Sequence, residues 1–520
     1  MTRLSRRDIL KLSAASLGGV ALAAASNSRA RKARATDAGR PNILILVFDT
    51  LSAPHMSLYG YGRSTTPNLD RFAQGATVYH AHHSTANYTT PGTASLLTGL
   101  DVWHHRALSP SAPVTRRLAT NNIFHAAGKE YVRIAFTQNL MAEIFLRQFH
   151  EDIDIHLPPQ AFAYRNPLLL GEMDLDDPLI SLAFDDFLVG GFKFDTPYPG
   201  SVTLGALDRV LSRGAAIHPD LHPDRRTDTS YNGYFFYKNR IVFDGMVQTL
   251  QKVAAKQASP YLAYFHLWSP HEPYSPAREF SGLFNENIKV PLKPDHPLAY
   301  APLFKPLELY EYRRVYDQYV ANVDAEFGRM MSAMSDSGML DDTCVIVLSD
   351  HGQLFERGVH GHASRLLHQP VLRVPLLIHM PGQEERLDIY EPTGNVDLLP
   401  TLASIMRLES SLESDGRLLP GFGGEAQAGR PLFATRGLED PARGPLKIGT
   451  FVLVKDRRKL QLFTGYEGLD ELMELYDLEA DPNELRDLSR DDPATARRMK
   501  EELLTERDAA DRAASRPSGQ

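Results

Sequence analysis

The chain has 520 residues, 43% of them hydrophobic and 23% charged, which suits a soluble globular protein and allows either a few domains or one large α/β domain with an appendage. A formal net charge of −8 argues against a nucleic-acid partner. The single cysteine, Cys344, excludes a disulfide framework within the chain; its place in the apolar run TCVIVLS predicts a buried strand thiol, not a nucleophile.

In chain order, the first signal is for export. SRRDILK, with paired Arg6 and Arg7, precedes the weakly apolar LSAASLGGVALAAAS, and the small-residue option ARA follows at 33–35. That order is a twin-arginine signal over residues 1–35, which implies the Tat translocon as a partner during export and a periplasmic or secreted mature protein. The route carries folded proteins, which suits an enzyme loaded with its metal beforehand. No other segment is long and apolar enough to span a membrane.

PNILILVFDT then gives an unbroken apolar run, Ile43 to Phe48, closed by Asp49. A strand through Thr77–Tyr79 leads toward NYTTPGTASLLTG at 87–99. There Thr90 is expected to cap a helix that Pro91 opens and Ala94 to Leu97 continue. Thr89 is placed just outside the helix mouth, beside backbone N–H groups that attract phosphate, sulfate or carboxylate. Residues 150–255 mix Pro, Gly, aromatics and acids, and read as an insertion forming a lid or binding wall. Its IHPDLHPDRRTD stretch at 217–228 reads as a solvated loop before a second metal site. Farther on, LYEYRRVYDQYVANVDAEFGRMMSAM puts Tyr316, Tyr319, Val323, Phe327 and Met330 on one helix face, a core-packing stripe.

DDTCVIVLSDHGQ repeats the earlier pattern, with Val345 to Leu348 leading to Ser349, Asp350 and His351. Apolar runs without alternation predict strands covered on both faces, and so a large, mainly parallel sheet sandwiched by helices. Ligand sites of open α/β sheets lie beyond the carboxyl ends of such strands. Asp49, Asp350, His351 and the Thr89 hydroxyl would make an N/O donor set for one divalent cation, Mn²⁺, Zn²⁺, Mg²⁺ or Ca²⁺. Beyond residue 440, KIGTFVLVKDRRKLQLF predicts two strands of a small α+β subdomain over 440–505. A charged helix then frays into a disordered tail at 506–520.

The ordered stretches PNILILVFDT, YGYGRSTTPNLDRFAQGATVY, TTPGTASLLTGL, YLAYFHLWSPHEPYSP, DDTCVIVLSDHGQLFERGVHGH, RVPLLIHMPG, NVDLLPTLASI and ELYDLEADPNELRDL resemble the sulfatase family of the alkaline-phosphatase superfamily. The resemblance spans about residues 41 to 490 and implies a catalytic domain over 40–435. It also implies a metal held by Asp49, Asp350 and His351 and touched by the nucleophile Thr89. His271 would face the transferred group, His362 would act as general acid at the leaving oxygen, and His105 would stand at the rim as a substrate-binding residue. His80, His82 and His83 receive no role.

Two departures from the family pattern matter. The first strand of typical sulfatases ends in two aspartates, whereas here the second is Thr50. Their nucleophile is a formylglycine made from cysteine or serine in a Cys-X-Pro-Ser-Arg pattern. This chain reads Thr89-Thr90-Pro91-Gly92-Thr93, so no formylglycine is expected. A threonine ester lacks the second hydroxyl through which a sulfated formylglycine hydrate collapses, and water or another acceptor must attack its central atom. Phosphoryl groups tolerate such displacement beside a metal, and threonine nucleophiles resemble those of lipoteichoic-acid synthases and phosphoethanolamine transferases. The expectation is an exported hydrolase or transferase acting on a small-molecule, glycan or lipid-headgroup ester, with phosphorus preferred. A sulfuric ester hydrolase without formylglycine and a non-catalytic binding protein remain the alternatives.

Overall fold

The computed structural model describes residues 39–514 apart from 111, 164–227, 233–234, 287, 301, 410, 426–428, 439–443 and 470. The export signal over 1–35, most of the IHPDLHPDRRTD stretch and the end of the tail lie outside these residues. Eight strands build the main sheet: β1 (Asn42–Phe48), β2 (Thr77–Tyr79), β3 (Val132–Thr137), β4 (Ile155–Leu157), β5 (Tyr261–Leu267), β6 (Thr343–Leu348), β7 (Leu376–His379) and β8 (Leu387–Ile389). Their order is β8-β2-β7-β6-β1-β5-β3-β4. Only β7 runs against its neighbours, so the sheet is mainly parallel.

Strand β1 explains why both faces must be covered. Successive side chains point to opposite faces, and every second residue of ILILVF serves one core. Leu44, Leu46 and Phe48 pack with Phe243 and Met246 of α3 (Asn239–Lys256) and with Tyr316 and Phe327 of α4 (Pro306–Asp336). Ile43, Ile45 and Val47 pack with Leu96 and Leu97 of α1 (Thr89–Thr98), Phe145 of α2 (Leu140–Gln148) and Leu402 of α5 (Leu398–Met406). Each such fully buried aliphatic side chain contributes roughly 1.5–3 kcal/mol of transfer free energy. The strand thus anchors the floor from which Asp49 projects. Cys344 lies fully buried in β6, and burial pushes its thiol up to about 12, consistent with an inert strand residue.

Helix α1 begins two residues earlier than the capping pattern suggested. Its N-cap is the extended Tyr88, which supplies no side-chain cap, and Thr89 is already the first helical residue. Thr90 does not cap, because its hydroxyl donates to the carbonyl of Pro110 at 3.0 Å. Pro91 is tolerated within the first turn, where backbone N–H groups have no intrahelical partner to lose. Gly92 is required by close approach: a Cβ there would meet the Asp350 carbonyl oxygen at 2.7 Å. The small residue lets the start of α1 lie directly against the Asp350 loop.

The apolar stripe of α4 is core, as its spacing indicates, but its aromatic hydroxyls also hold loops. Tyr316 Oη donates to the Thr50 carbonyl at 2.7 Å and accepts from the Ser52 N–H at 3.1 Å. Tyr319 Oη lies 2.7 Å from Ser269 Oγ, at the start of the loop that carries His271.

The C-terminal unit is an antiparallel meander, β9 (Leu432–Gly437), β10 (Gly449–Lys455), β11 (Arg458–Thr464) and β12 (Glu471–Asp477), covered by α6 (Pro493–Ala514). Asp456 and Arg457, both at positive φ, make the tight β10–β11 turn. Phe451, Leu453 and Leu460 face Met499 and Leu503 of α6, while Val452, Val454 and Phe463 face Leu366, Leu367 and Val371 of the main-sheet unit.

Three boundaries differ from the sequence reading. β9 already belongs to the C-terminal sheet, although the catalytic unit was expected to reach 435. Helix α6 runs to Ala514, within the stretch expected as disordered tail, because buried Ala510 and Asp511 tie it down; Asp511 pairs with Arg106 at 2.7 Å. Within the expected insertion at 150–255, β4 extends the sheet and α3 covers one face, burying Val242, Phe243, Met246 and Leu250. No helix among the described residues is long and apolar enough to cross a membrane.

Tyr316→Phe removes one hydroxyl that satisfies two buried backbone groups. It is expected to lower stability by about 1–3 kcal/mol and to loosen the Asp49–Ser52 turn, read as a lower thermal midpoint. An unchanged midpoint would show that the turn holds without it.

Candidate functional site

Four adjacent strands, β6, β1, β5 and β3, deliver the site at their carboxyl edge. Asp49 directly follows β1, His266 is the penultimate residue of β5, Asn139 stands two residues past β3, and Asp350 and His351 follow β6 after Ser349. Turning the chain immediately after Asp49 puts Thr50 at φ 66°, an uncommon conformation for a β-branched residue and one that concentrates at functional sites. The Asp350 loop is fixed from behind: Ser84 Oγ donates to the Asp350 carbonyl at 2.5 Å, and Asn395 Nδ2 approaches the same oxygen at 3.3 Å.

Asn139 joins the nucleophile candidate to the carboxylates. Its Nδ2 donates to Asp49 Oδ2 at 2.5 Å and to Thr89 Oγ1 at 3.0 Å. Its Oδ1 accepts from the Met141 N–H and so caps α2, which locks the amide orientation. His351 Nε2 lies 3.5 Å from both Asp49 Oδ1 and Asp350 Oδ2, and His266 Nε2 lies 3.6 Å from Asp350 Oδ2.

These residues are fully buried, yet Asp49 Oδ1, Asp350 Oδ2, His266 Nε2 and His351 Nε2 have no hydrogen-bond partner among the described residues. An unpaired buried polar atom costs about 1–3 kcal/mol, so four at one place call for an occupant. Burial and the neighbouring Asp350 push the Asp49 carboxyl well above the usual carboxylate range, and burial raises that of Asp350 to about 6. Burial also lowers His351 to about 4, keeping it neutral. His351 Nδ1 donates to the Gly352 carbonyl at 3.1 Å, so its Nε2 carries the lone pair a metal needs. Two carboxylates and a correctly tautomerised imidazole fit a divalent cation.

A second buried group, His296, His368 and Glu474, superficially resembles a metal site. His296 Nδ1 accepts from the Leu298 N–H at 3.1 Å, which puts the imidazole proton on Nε2, where it is donated to Glu474 at 3.0 Å. That tautomer has no lone pair left for a metal. His296 and Gln461 both hydrogen-bond Glu474, at 3.0 and 2.9 Å, while the His368 ring has no hydrogen-bond partner among the described residues and lies 3.4 Å from Glu484.

Of the remaining histidines, His271 and His362 stand over the centre. Their rings lie 4.8 Å apart, and that of His362 lies 4.7 Å from His351. Nδ1 of His271 donates to the Glu272 carbonyl at 2.6 Å, and Nδ1 of His362 donates to Gln353 Oε1 at 2.8 Å. Burial lowers His271 to about 3 and, with repulsion from His351 and His271, holds His362 well below its ordinary value; Arg436 of β9 adds to that repulsion. His105 is corrected. It is fully buried, with Nε2 against Ser95 Oγ and Nδ1 accepting from the Ala107 N–H, both at 3.0 Å, so neither nitrogen is free at a pocket rim. His82 bridges Thr393 and Asn395, each at 2.9 Å, His80 stacks on Tyr390, and His83 holds the Ala81 carbonyl.

The sulfatase family model matches residues 41–148 and 212–408. The chain belongs to the sulfatase family. It is 23% identical over 509 residues to the multifunctional alkaline phosphatase superfamily protein PehA of Trinickia caryophylli, covering 88% of this chain and 92% of that one. It is 23% identical over 481 residues to the choline-sulfatase of Rhizobium meliloti, covering 87% and 83%. Among solved structures, the phosphonate monoester hydrolase of Agrobacterium radiobacter superposes with a TM-score of 0.63 at 21% identity, covering 91% of this chain and 96% of that one. Another phosphonate monoester hydrolase, from Silicibacter pomeroyi, gives 0.62 at 19% identity, with coverage of 91% and 96%. These superpositions establish the fold. An ester-hydrolase or transferase enzyme of this family is the resulting assignment.

The structure brings Asp49, Thr89, Asp350, His351, His271 and His362 to one end of the sheet and leaves His105 inside. Sequence reasoning missed Asn139 and His266. The signal for each was a polar side chain at the carboxyl end of an apolar strand, FTQN and AYFHL, but which strands flank β1 is not written in either segment.

The raised carboxyl pKa values give a pH-dependent test. An acid whose folded pKa lies above its ordinary 3.8 loses stability as pH rises from that value through the folded one, about 6 for Asp350. A bound divalent cation cancels that cost. Its stabilisation of the thermal midpoint should therefore be larger at pH 8 than at pH 5, measured with metal against chelator. A gain that is equal or smaller at pH 8 would contradict the assignment.

Proposed function

We propose that this chain is an exported, metal-dependent hydrolase or transferase of phosphorus esters, with Thr89 Oγ1 as its nucleophile. The observation that carries this reading is the Asn139 amide shared by Thr89 and Asp49, which ties the hydroxyl to the unpaired carboxylate cluster. Asp49, Asp350 and His351, with Thr89 Oγ1, would hold the divalent cation. When bound, that ion supplies positive charge that favours the Thr89 alkoxide and neutralises ester oxygens.

Asn139 Nδ2 already donates to Oγ1, so negative charge developing there meets a donor in place. The uncapped start of α1 adds N–H groups beside it for the anionic ester. Thr89 Oγ1, its proton released to solvent as the alkoxide forms, attacks phosphorus, the Oγ–P bond forms, and the bond to the ester oxygen breaks. His362 is neutral in the empty pocket, with Nδ1–H held by Gln353 and Nε2 available. An anionic ester offsets the repulsion that strips its proton, and Nε2–H then protonates the leaving oxygen. Water or another acceptor next attacks phosphorus, gives its proton back to His362 Nε2, and frees Thr89. His271, ring against ring with His362, orients the transferred group.

A threonine ester released by direct attack at the central atom favours phosphorus over sulfur. Similarity to a multifunctional alkaline phosphatase superfamily protein and to two phosphonate monoester hydrolases supports that preference. The choline-sulfatase relative makes sulfate esters the comparison to run. Export rests on Arg6, Arg7 and the weakly apolar stretch after them. Fractionating cells that express a paired-lysine variant tests it, and unchanged export would refute the twin-arginine route.

The decisive kinetics pair a phosphate monoester, a phosphodiester and a phosphonate monoester with a sulfate ester of the same leaving group. Thr89→Ala should lose at least about a thousandfold in kcat while Thr89→Ser keeps measurable turnover. Turnover by Thr89→Ala at the wild-type rate would reduce Thr89 to a structural residue. A wild-type preference for the sulfate ester would overturn the choice of phosphorus.

A further inference from the structure

We propose that His266 is a direct metal ligand, so that two carboxylates and two imidazoles, with the Thr89 hydroxyl beside them, surround the cation. The inference rests on the metal reading above and extends it to a residue outside the donor set expected from the sequence. His266 sits on β5, beside β1, and its register partner there is Val47, two residues before Asp49. Its imidazole is fully buried at the end of an otherwise apolar strand, YLAYFHL.

Other buried histidines provide the comparison. His82 and His105 each use both ring nitrogens in hydrogen bonds within the protein; buried His368 uses neither, its Nδ1 lying 3.4 Å from Glu484. At His266 only Nδ1 has a partner, the Tyr264 hydroxyl at 3.2 Å. Its Nε2 has none and points at Asp350 Oδ2 from 3.6 Å, too far for a hydrogen bond. Asp49, His266 and Asp350 offer ligand atoms that all lie within 4.8 Å of one another. Separations of 3.5–3.6 Å recur between carboxylate oxygens and the two imidazole nitrogens. That is the spacing expected of ligands sharing one ion at bonds of about 2.0–2.2 Å. A cation between Asp49 and Asp350 would satisfy His266 Nε2 along with both carboxylate oxygens, whereas a hydrogen bond from His266 to Asp350 would leave Asp49 Oδ1 and His351 Nε2 exposed to the same penalty.

The consequence is selectivity. Two nitrogens in the donor set favour Zn²⁺ and disfavour Ca²⁺ and Mg²⁺, which take oxygen ligands; Mn²⁺ lies between them. The test counts nitrogens on Mn²⁺ by pulsed electron paramagnetic resonance in the wild-type protein, His266→Ala and His351→Ala, with Mn²⁺ and Ca²⁺ affinities from calorimetry. Two imidazole nitrogens are expected in the wild type and one in each variant. His266→Ala should weaken Mn²⁺ binding at least about tenfold and Ca²⁺ binding far less. The wild type and His351→Ala carry the test even if His266→Ala fails to fold, since His351→Ala must retain one nitrogen. A single nitrogen in the wild type, or an unchanged count in His266→Ala, overturns the role of His266 alone. No metal bound at all would remove the metal reading of the preceding subsection, and this inference with it.

Discussion

Two carboxylates buried side by side repel each other, and Asp49 and Asp350 are held in that condition by the whole sheet. Each follows a fully buried apolar strand, and those strands are adjacent, so neither carboxylate can swing away without dragging core with it. The surrounding residues keep the charge in place instead of cancelling it. Gly92 lets α1 press against the Asp350 carbonyl, Ser84 and Asn395 hold the same loop, and Tyr316 fixes the turn beyond Asp49. A centre that is electrostatically unfavourable when empty is well prepared for a cation, because binding need not reorganise it.

The same constraint explains which parts were legible in the sequence. Asp49, Asp350 and His351 end unbroken apolar runs, so their position at the carboxyl edge follows from strand physics alone. Thr89 is marked by the threonine-proline-glycine start of its helix, although the cap fell on Tyr88 because Thr90 found the Pro110 carbonyl instead. His266 and Asn139 were hidden for a topological reason. Their strands are distant in sequence, and only the order β6-β1-β5-β3 sets their side chains around Asp49. His105 shows the opposite failure: a histidine pair after a helix invites a binding role, yet Ser95 and Ala107 absorb both nitrogens. The end of α6 was read as tail because its charge is visible and the burial of Ala510 and Asp511 against another segment is not.

The C-terminal unit does more than cover the sheet. Arg436 of β9 lies over the ring of Tyr88, 4.4 Å from its centroid, immediately before helix α1. Its charge also helps to hold His362 neutral. The cation that helps set protonation over the centre is thus borrowed from a separate sheet. Where the family pattern has a second aspartate and an arginine, this chain has Thr50 and Thr93, both with buried hydroxyls lacking a protein partner. Those exchanges remove charge from the surroundings of Thr89, in keeping with the proposed hydroxyl nucleophile.

The central claim is that Thr89 is transiently esterified. Rapid acid quench of the metal-loaded enzyme during turnover of a phosphonate or phosphate ester, followed by peptide mass spectrometry, tests it most directly. The account predicts a phosphorus-containing adduct on the peptide that carries Thr89, rising to a steady level and vanishing when substrate is exhausted. An unmodified Thr89 peptide at every time point, in an enzyme that is turning over and whose adduct would survive the quench, would contradict it.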